Sequence, residues 1–331
     1  MTTITQSART LGKTGPEVFP IALGCMGMSG MYGESDEAES IATIHAGIDA
    51  GVNLLDTGDF YGMGHNEMLV GRAIAGMRDK VLLSVKFGAQ RSPDGSFLGF
   101  DARPAAVKTS LSYSLKRLGV DYIDIYRPAR LDPAVPIEDT VGAIADMIKA
   151  GYVRHVALSE VGPETIRRAA AVHPIVDLQI EYSLISRSPE EKIFPVLDEL
   201  GISTTAYGVL SRGLLSNSKP AVKGDFRAGL PRFTGENLAR NQELVARLGE
   251  IAETRNISTA QLALAWVLAK GNSIIPVMGA RKRTQLAESL AALDVKLNAE
   301  EVKQIESAVP ADAVAGTRYD AHQMRLLDSE K

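Results

Sequence analysis

An α/β protein whose eight parallel strands close into a (β/α)8 barrel is the fold class this sequence predicts, and three observations carry the prediction. Short apolar runs of strand character alternate with longer helical patterns eight times along 331 residues, which is the signature of parallel βα units rather than of hairpins. No linker or shift in composition interrupts the series, so 1–331 reads as one barrel domain, a length barrels reach as a single unit. Ahead of the first strand, Arg9 to Pro20 forms two extended pieces joined by Lys13-Thr14-Gly15, an N-terminal β-hairpin placed to plug the barrel floor.

The first strand, Ile21 to Gly24, enters a glycine- and methionine-rich loop, Cys25 to Glu34, and a helix from Asp36 to Ala50. Strand two is Asn53 to Asp56 with its helix near Asn66 to Met77; strand three is Val81 to Lys86, followed by a Gly/Ser/Pro loop. Arg103-Pro104 opens the third helix, proline suiting its first turn, and the helix ends near Leu118. Strand four, Tyr122 to Tyr126, precedes a helix from Ile137 to Ala150 that Gly151 closes. Strand five is Val153 to Leu158 with a helix from Pro163; strand six is Asp177 to Glu181 with a helix from Ser188 to Leu200. Strand seven, Ser203 to Tyr207, leads into the longest irregular stretch, Gly208 to Gly235. Helical patterns follow at Asn237 to Thr254 and Ser258 to Lys270, then strand eight, Ser273 to Val277, and a helix from Lys282 to Ala292. An extra C-terminal helix, Leu297 to Ala308, is opened by Asn298 with Glu301 three residues on, a capping box. Gly24, Gly27 and Gly30 follow the first strand, but their GxxGxxG spacing is not the GxGxxG of a dinucleotide-binding turn.

Composition narrows the partners. A net charge of -4 gives no footprint for nucleic acid or an anionic membrane, which leaves a small molecule as the expected partner. One cysteine, Cys25, excludes an internal disulfide, and no metal-ligand spacing appears, so no metal is expected. The start of the chain is polar and no segment has the roughly 18 apolar residues of a membrane span, so the reading is a soluble cytoplasmic protein, either monomer or homo-oligomer.

The chemistry concentrates in Asn53 to Gly62, N-L-L-D-T-G-D-F-Y-G. Its strand delivers Asp56 onto a turn that presents Tyr61, and the next strand ends in Lys86. Parallel neighbours bring the three together at the carboxyl ends of the strands, where barrels keep their active sites. A free tyrosine titrates near ~10 and is a poor acid at neutrality. A nearby ammonium lowers that value, and an adjacent carboxylate keeps the ammonium charged. Taken singly, the same residues read as a turn-capping aspartate, a packing tyrosine and a rim lysine.

These residues resemble the aldo-keto reductase family in the D-T-x-x-x-Y-G turn after strand two, in the lysine ending strand three and in later motifs over nearly the whole chain. The motif choices are most similar to its bacterial, pyridoxal reductase-like branch. The resemblance implies a TIM barrel that uses NADPH to reduce a carbonyl compound, with Asp56, Tyr61 and Lys86 as three members of a catalytic Asp-Tyr-Lys-His tetrad. The fourth departs: where the family pattern resembles Y-I-D-L-Y-x-x-H-R-x-D, this chain runs Tyr122 to Asp132 with Ala129 at the histidine's place. That histidine donates a hydrogen bond to the substrate carbonyl, and losing such a donor costs on the order of 100-fold to 1,000-fold. Slow turnover of simple aldehydes, room for a bulkier ketone, or a substitute donor would each follow, with His65 and Arg127 as candidate donors and a surface role as the alternative for His65.

For the cofactor, the resemblance implies that Ser159 and Gln179 bind the nicotinamide carboxamide, with Glu160 standing where the family often has Asn. It implies that Tyr207 stacks on the ring. Gly279, Arg281, Gln285 and Ser289 match the adenosine-phosphate site, where a guanidinium and a helix N-terminus favour NADPH over NADH. Ser211, Arg212 and Leu214 belong to the long loop, expected to clamp the cofactor. The basic residues Lys219, Lys223, Arg227 and Arg232 in that loop read alternatively as solvated. Met26, Met28, Met31, Tyr32 and Phe87 are the expected pocket lining. Two rivals remain: a nicotinamide-binding sensor on the same barrel, and an aldolase-like enzyme using Lys86 as a Schiff-base nucleophile.

Overall fold

The computed structural model describes residues 8–30, 32–216 and 225–331. An antiparallel hairpin, β1 (Arg9–Thr10) and β2 (Glu17–Val18), precedes the barrel. Its Leu11 and Val18 are fully buried against Ala22, Leu54, Ile125, Ala157 and Ile275, one from each of five barrel strands. The Arg9 guanidinium donates to the carbonyls of Leu268, Gly271 and Ile274, tying this plug to the last barrel strand.

Eight parallel strands close into a barrel: β3 (Ala22–Gly24), β4 (Leu54–Gly58), β5 (Leu82–Phe87), β8 (Ile123–Pro128), β9 (Val153–Ser159), β10 (Ile175–Glu181), β11 (Ser203–Tyr207) and β12 (Ile274–Gly279), with β12 pairing back to β3. Outside them lie α1 (Glu37–Asp49), α2 (His65–Ala73), α3 (Pro104–Leu118), α4 (Ile137–Lys149), α5 (Pro163–Val172), α6 (Pro189–Leu200), α7 (Gly235–Thr254), α8 (Thr259–Ala269) and α9 (Arg283–Leu290). The extra C-terminal helix is α10 (Ala299–Ala308), and both α8 and α10 open with complete capping boxes. No helix among the described residues is long and apolar enough to cross a membrane.

Three elements differ from expectation. The loop after strand three holds a second hairpin, β6 (Ala89–Arg91) with β7 (Phe97–Phe100), whose two phenylalanine rings meet at 5.0 Å. It is largely exposed, so it carries none of the in-out alternation that reveals a strand. Helix α2 stops at Ala73 rather than Met77, because Gly76 takes a left-handed φ of 76°. Beyond α10 the chain returns as a tail with a short helix, α11 (Ala321–Arg325), which Asp320 caps by accepting from the His322 and Gln323 amides.

Candidate active site

Strand alternation sends the polar residues of β4 and β5 inward, while Leu83, Val85 and Phe87 pack outward with Val107 and Leu111 of α3. Inside, the Lys86 Nζ donates to Asp56 Oδ2 at 2.5 Å, and Ser84 Oγ and Gln179 Nε2 each donate to Asp56 Oδ1 at 2.9 Å. Burial works to raise the Asp56 carboxyl, but Lys86, Arg127 and these hydrogen bonds outweigh it and hold the carboxyl below its ordinary range. Burial is also the largest influence on Lys86 and pulls the ammonium below its ordinary value against the opposing pull of Asp56.

Tyr61 is held by a stapled turn. The Asp59 amide donates to the Lys86 carbonyl at 2.9 Å, and the Gly88 amide donates to Asp59 Oδ2 at 3.2 Å. Past Tyr61 the chain takes left-handed φ at Gly62, Met63 and Gly64 (54°, 53° and 93°), which swings it at once into α2. A side chain at Gly62 would add a Cβ 3.0 Å from that of Ser29, so close approach as well as φ favours glycine. The Lys86 Nζ lies 5.3 Å from the centroid of the Tyr61 ring, and the Tyr61 hydroxyl has no hydrogen-bond partner among the described residues. The expected lowering of the phenol by Lys86 is corrected here. Burial first, and then Asp56, push Tyr61 well above its ordinary value, with Arg130 the cation that opposes them.

Neither expected substitute donor reaches this site. Arg127 is fully buried inside the barrel, donating to both Asp177 oxygens at 2.6 and 3.2 Å and to Ser84 Oγ at 2.9 Å. It supports Asp56 through Ser84. His65 opens α2 with its Nδ1 at 2.9 Å from Ser29 Oγ and its Nε2 at 3.3 Å from Glu37, on the partly exposed rim. The cation beside Ala129 is Arg130, which directly follows it and which the sequence reading did not single out. The Ala129 amide donates to the Phe87 carbonyl at 2.8 Å. The Arg130 Nη1 donates to the Ala129 carbonyl at 2.6 Å and to Ser159 Oγ at 3.4 Å, and its Nη2 donates to the Tyr319 hydroxyl at 3.4 Å.

The C-terminal tail packs against the rim of the barrel. Glu160 is buried at a left-handed φ of 52°, a conformation that Asn adopts more readily than Glu. Its carboxylate accepts from Tyr207 at 2.6 Å, from both terminal nitrogens of Arg318 at 2.9 Å and from Ser329 at 2.5 Å. Burial raises Glu160, but Arg318 and Arg130 more than reverse this and leave it far below the usual carboxylate range. Next to it, Glu181 accepts from Arg212 at 2.7 Å and from Ser186 at 2.9 Å. The Arg212 guanidinium, expected at the cofactor, is therefore committed to Glu181 and to the face of Tyr319, 4.5 Å away.

The remaining cofactor candidates fall on the same rim. Ser159 is buried beside Arg130, and Gln179 bonds to Asp56; the Tyr207 hydroxyl also meets that of Tyr319 at 3.1 Å. At the far end, Gly279 has open space where a side chain would project. Arg281 donates to the Tyr32 and Glu34 carbonyls at 2.9 and 3.0 Å, its own amide donates to Gln285 at 3.1 Å, and Ser289 is buried on α9. Arg281 has no carboxylate within 4.0 Å among the described residues, so its charge is open to a phosphate. Ser211, in left-handed backbone, keeps a buried hydroxyl with no partner among the described residues, an unmet polar group suited to a cofactor oxygen. Leu214 packs into the apolar cluster beneath the loop. Arg227 pairs with Asp225 and Arg232 donates to Ser186, so these two are internal staples rather than solvated charges. Lys219 and Lys223 lie outside the described residues, as does Met31.

Two expected lining residues are corrected: Met28 is buried in the core, and Phe87 stacks on Tyr126 at 4.4 Å between strand and helix. Met26 is half-buried, and Tyr32 packs against Phe226 at 5.4 Å, joining the first loop to the long one.

A model of the Aldo/keto reductase family matches residues 20–310. "Probable aldo-keto reductase 1" of Glycine max is 40% identical over 316 residues, covering 93% of this chain and 90% of its own. Among solved structures, the glycerol dehydrogenase AKR11B4 from Gluconobacter oxydans superposes with a TM-score of 0.83 at 26% identity, covering 98% of each chain. Aldo-keto reductase AKR11C1 from Bacillus halodurans gives 0.77 at 28%, covering 96% and 99%. An aldo/keto reductase from Klebsiella pneumoniae, solved with NADP and acetate, gives 0.74 at 25%, covering 94% and 98%.

Proposed function

This chain belongs to the aldo/keto reductase family, oxidoreductases acting on carbonyl or alcohol groups, and from that premise we propose that it reduces an aldehyde or ketone with NADPH while Tyr61 delivers the proton. One observation carries the reading: the buried Asp56–Lys86 pair at 2.5 Å has its Nζ 5.3 Å from the ring centroid of Tyr61, whose hydroxyl has no hydrogen-bond partner among the described residues. The phenol is protonated through the neutral range, and Arg130 is the cation that opposes burial and Asp56 and so favours release of its proton. Lys86 and Asp56 hold that donor in a fixed field, and Ser84 and Gln179 hold Asp56.

Bound NADPH supplies the hydride. Ser159, Gln179 and Tyr207 would hold its nicotinamide end, and Gly279, Arg281, Gln285 and Ser289 its adenosine phosphate. Ser211, Arg212 and Leu214 shape the loop between, with Arg212 acting through Glu181. The relative solved with NADP supports the phosphate-bearing cofactor. On motif choice we place the chain near the bacterial, pyridoxal reductase-like members, and Ala129 favours a bulky cyclic ketone because a methyl group stands where an imidazole would.

The test is a panel of aldehydes, quinones and cyclic ketones with NADPH or NADH, read by loss of reduced-nicotinamide absorbance. NADPH-dependent turnover, faster on cyclic ketones than on small aldehydes, is expected. Tight NADPH binding with no turnover on any carbonyl would replace this reading with that of a nicotinamide sensor, which Ala129 would then explain.

A further inference from the structure

We propose that Arg130 is a catalytic residue of this enzyme, its guanidinium facing the substrate carbonyl oxygen and stabilising the negative charge that develops there. The inference rests on the reductase reading above.

Position is the first argument. Ala129 directly follows β8 beside the end of β5, where its amide donates to the Phe87 carbonyl, next to Lys86. Arg130 follows directly, and its bond to Ser159 carries it across the end of β9. The missing imidazole leaves space at this corner, and the Arg130 guanidinium, bonded to the Ala129 carbonyl, stands at its edge.

Charge is the second. Arg127, Arg212 and Arg318 each have a carboxylate within hydrogen-bond distance, at 2.6, 2.7 and 2.9 Å. Arg130 has none within 4.0 Å among the described residues; its contacts are a carbonyl and two hydroxyls, both hydroxyls at 3.4 Å. A guanidinium has five N–H donors in a rigid fork, so donors remain for an incoming oxygen. Glu160 lies in the field of Arg130 but is bonded to Arg318, Tyr207 and Ser329 rather than to it, so the Arg130 fork keeps donors for an anion that forms in the reaction. The direction of its influence on Tyr61 agrees, since Arg130 favours the phenolate left after proton transfer.

The step balances. Hydride from the reduced nicotinamide forms the new C–H bond and the nicotinamide is oxidised; the carbonyl π pair moves onto oxygen, where Arg130 N–H groups hold it. The Tyr61 proton then completes the alcohol, and Arg130 is unchanged.

The experiment compares wild type with Arg130→Met and Arg130→Lys on neutral and carboxylate-bearing ketones, with NADPH binding followed by fluorescence. Arg130→Met is expected to lower kcat on neutral ketones by about 100-fold or more with little change in KM or NADPH affinity. Arg130→Lys should keep more of the rate, and added guanidinium ion should restore part of it to Arg130→Gly. Should Arg130→Met bind NADPH poorly, the double variant Ala129→His/Arg130→Met decides: regained kcat with a new titration near ~6.5, the ordinary histidine value, supports the role, and no regain contradicts it. An Arg130→Met kcat within about threefold of wild type would overturn the proposal, as would a loss confined to KM for carboxylate-bearing ketones, which marks a ground-state anchor. A wild type inactive on every carbonyl would instead sink the reductase reading itself.

Discussion

Asp59 shows how a single carboxyl can couple the catalytic turn to pH. Burial, followed by nearby Glu67, raises it to about 7 against the Gly88 amide and Arg117, and one of its oxygens is buried without a partner. The folded protein therefore holds this proton more tightly than the unfolded chain, whose carboxyl titrates near 3.8. Its stabilising contribution is complete below about pH 4 and fades as pH climbs through about 7. Asp59→Asn, which keeps the neutral shape, should lose less stability than wild type from about pH 5 to 8, by about 1 kcal/mol or more, as urea unfolding at several pH values would show. The positions of Asp56 and Lys86 were legible because each follows from strand period alone. Arg127 and Phe87 were misread for one reason: each lies one residue past a predicted strand end. Both strands continue, and the added residue inherits an inward or outward face by alternation rather than a place at the mouth.

The tail after α10 is the element that sequence reasoning saw least, since Ala311 to Lys331 has no periodic apolar face. What fixes it is polar and non-local. Arg318 pairs with Glu160, and Asp328 accepts from the Gly162 amide at 2.9 Å and from Thr165 at 2.7 Å. Neither pairing can be read from spacing, because the partners lie over 150 residues apart. Arg318→Met leaves the buried Glu160 carboxylate without its main partner and should cost about 3–5 kcal/mol. Glu160→Gln in that background should return part of it, measured as the double-mutant coupling in thermal unfolding. Because Glu160 is depressed in the folded state, its contribution holds at neutral pH and is lost as pH falls below 4.5, its ordinary value. The same alternation of strands and helices that made the barrel legible hid the β6–β7 hairpin, whose exposed faces carry no pattern.

For the whole molecule, the barrel presents one interior column of polar groups, from Asp177 and Arg127 through Ser84 and Asp56 to Lys86, beneath a rim built by loops and tail. The proposed cofactor site spans that rim, so binding there should be visible as global stability. NADPH at about 100 times its Kd should add about 2.7 kcal/mol, and Arg281→Met should remove the advantage of NADPH over NADH in the same melting experiment. We propose that this column exists to hold Tyr61 as the proton donor. The most direct test is single-turnover carbonyl reduction by Tyr61→Phe with NADPH already bound. A chemical step slower by about 100-fold to 10,000-fold with cofactor affinity unchanged is expected. A Tyr61→Phe rate within a few-fold of wild type would show that the proton comes from elsewhere.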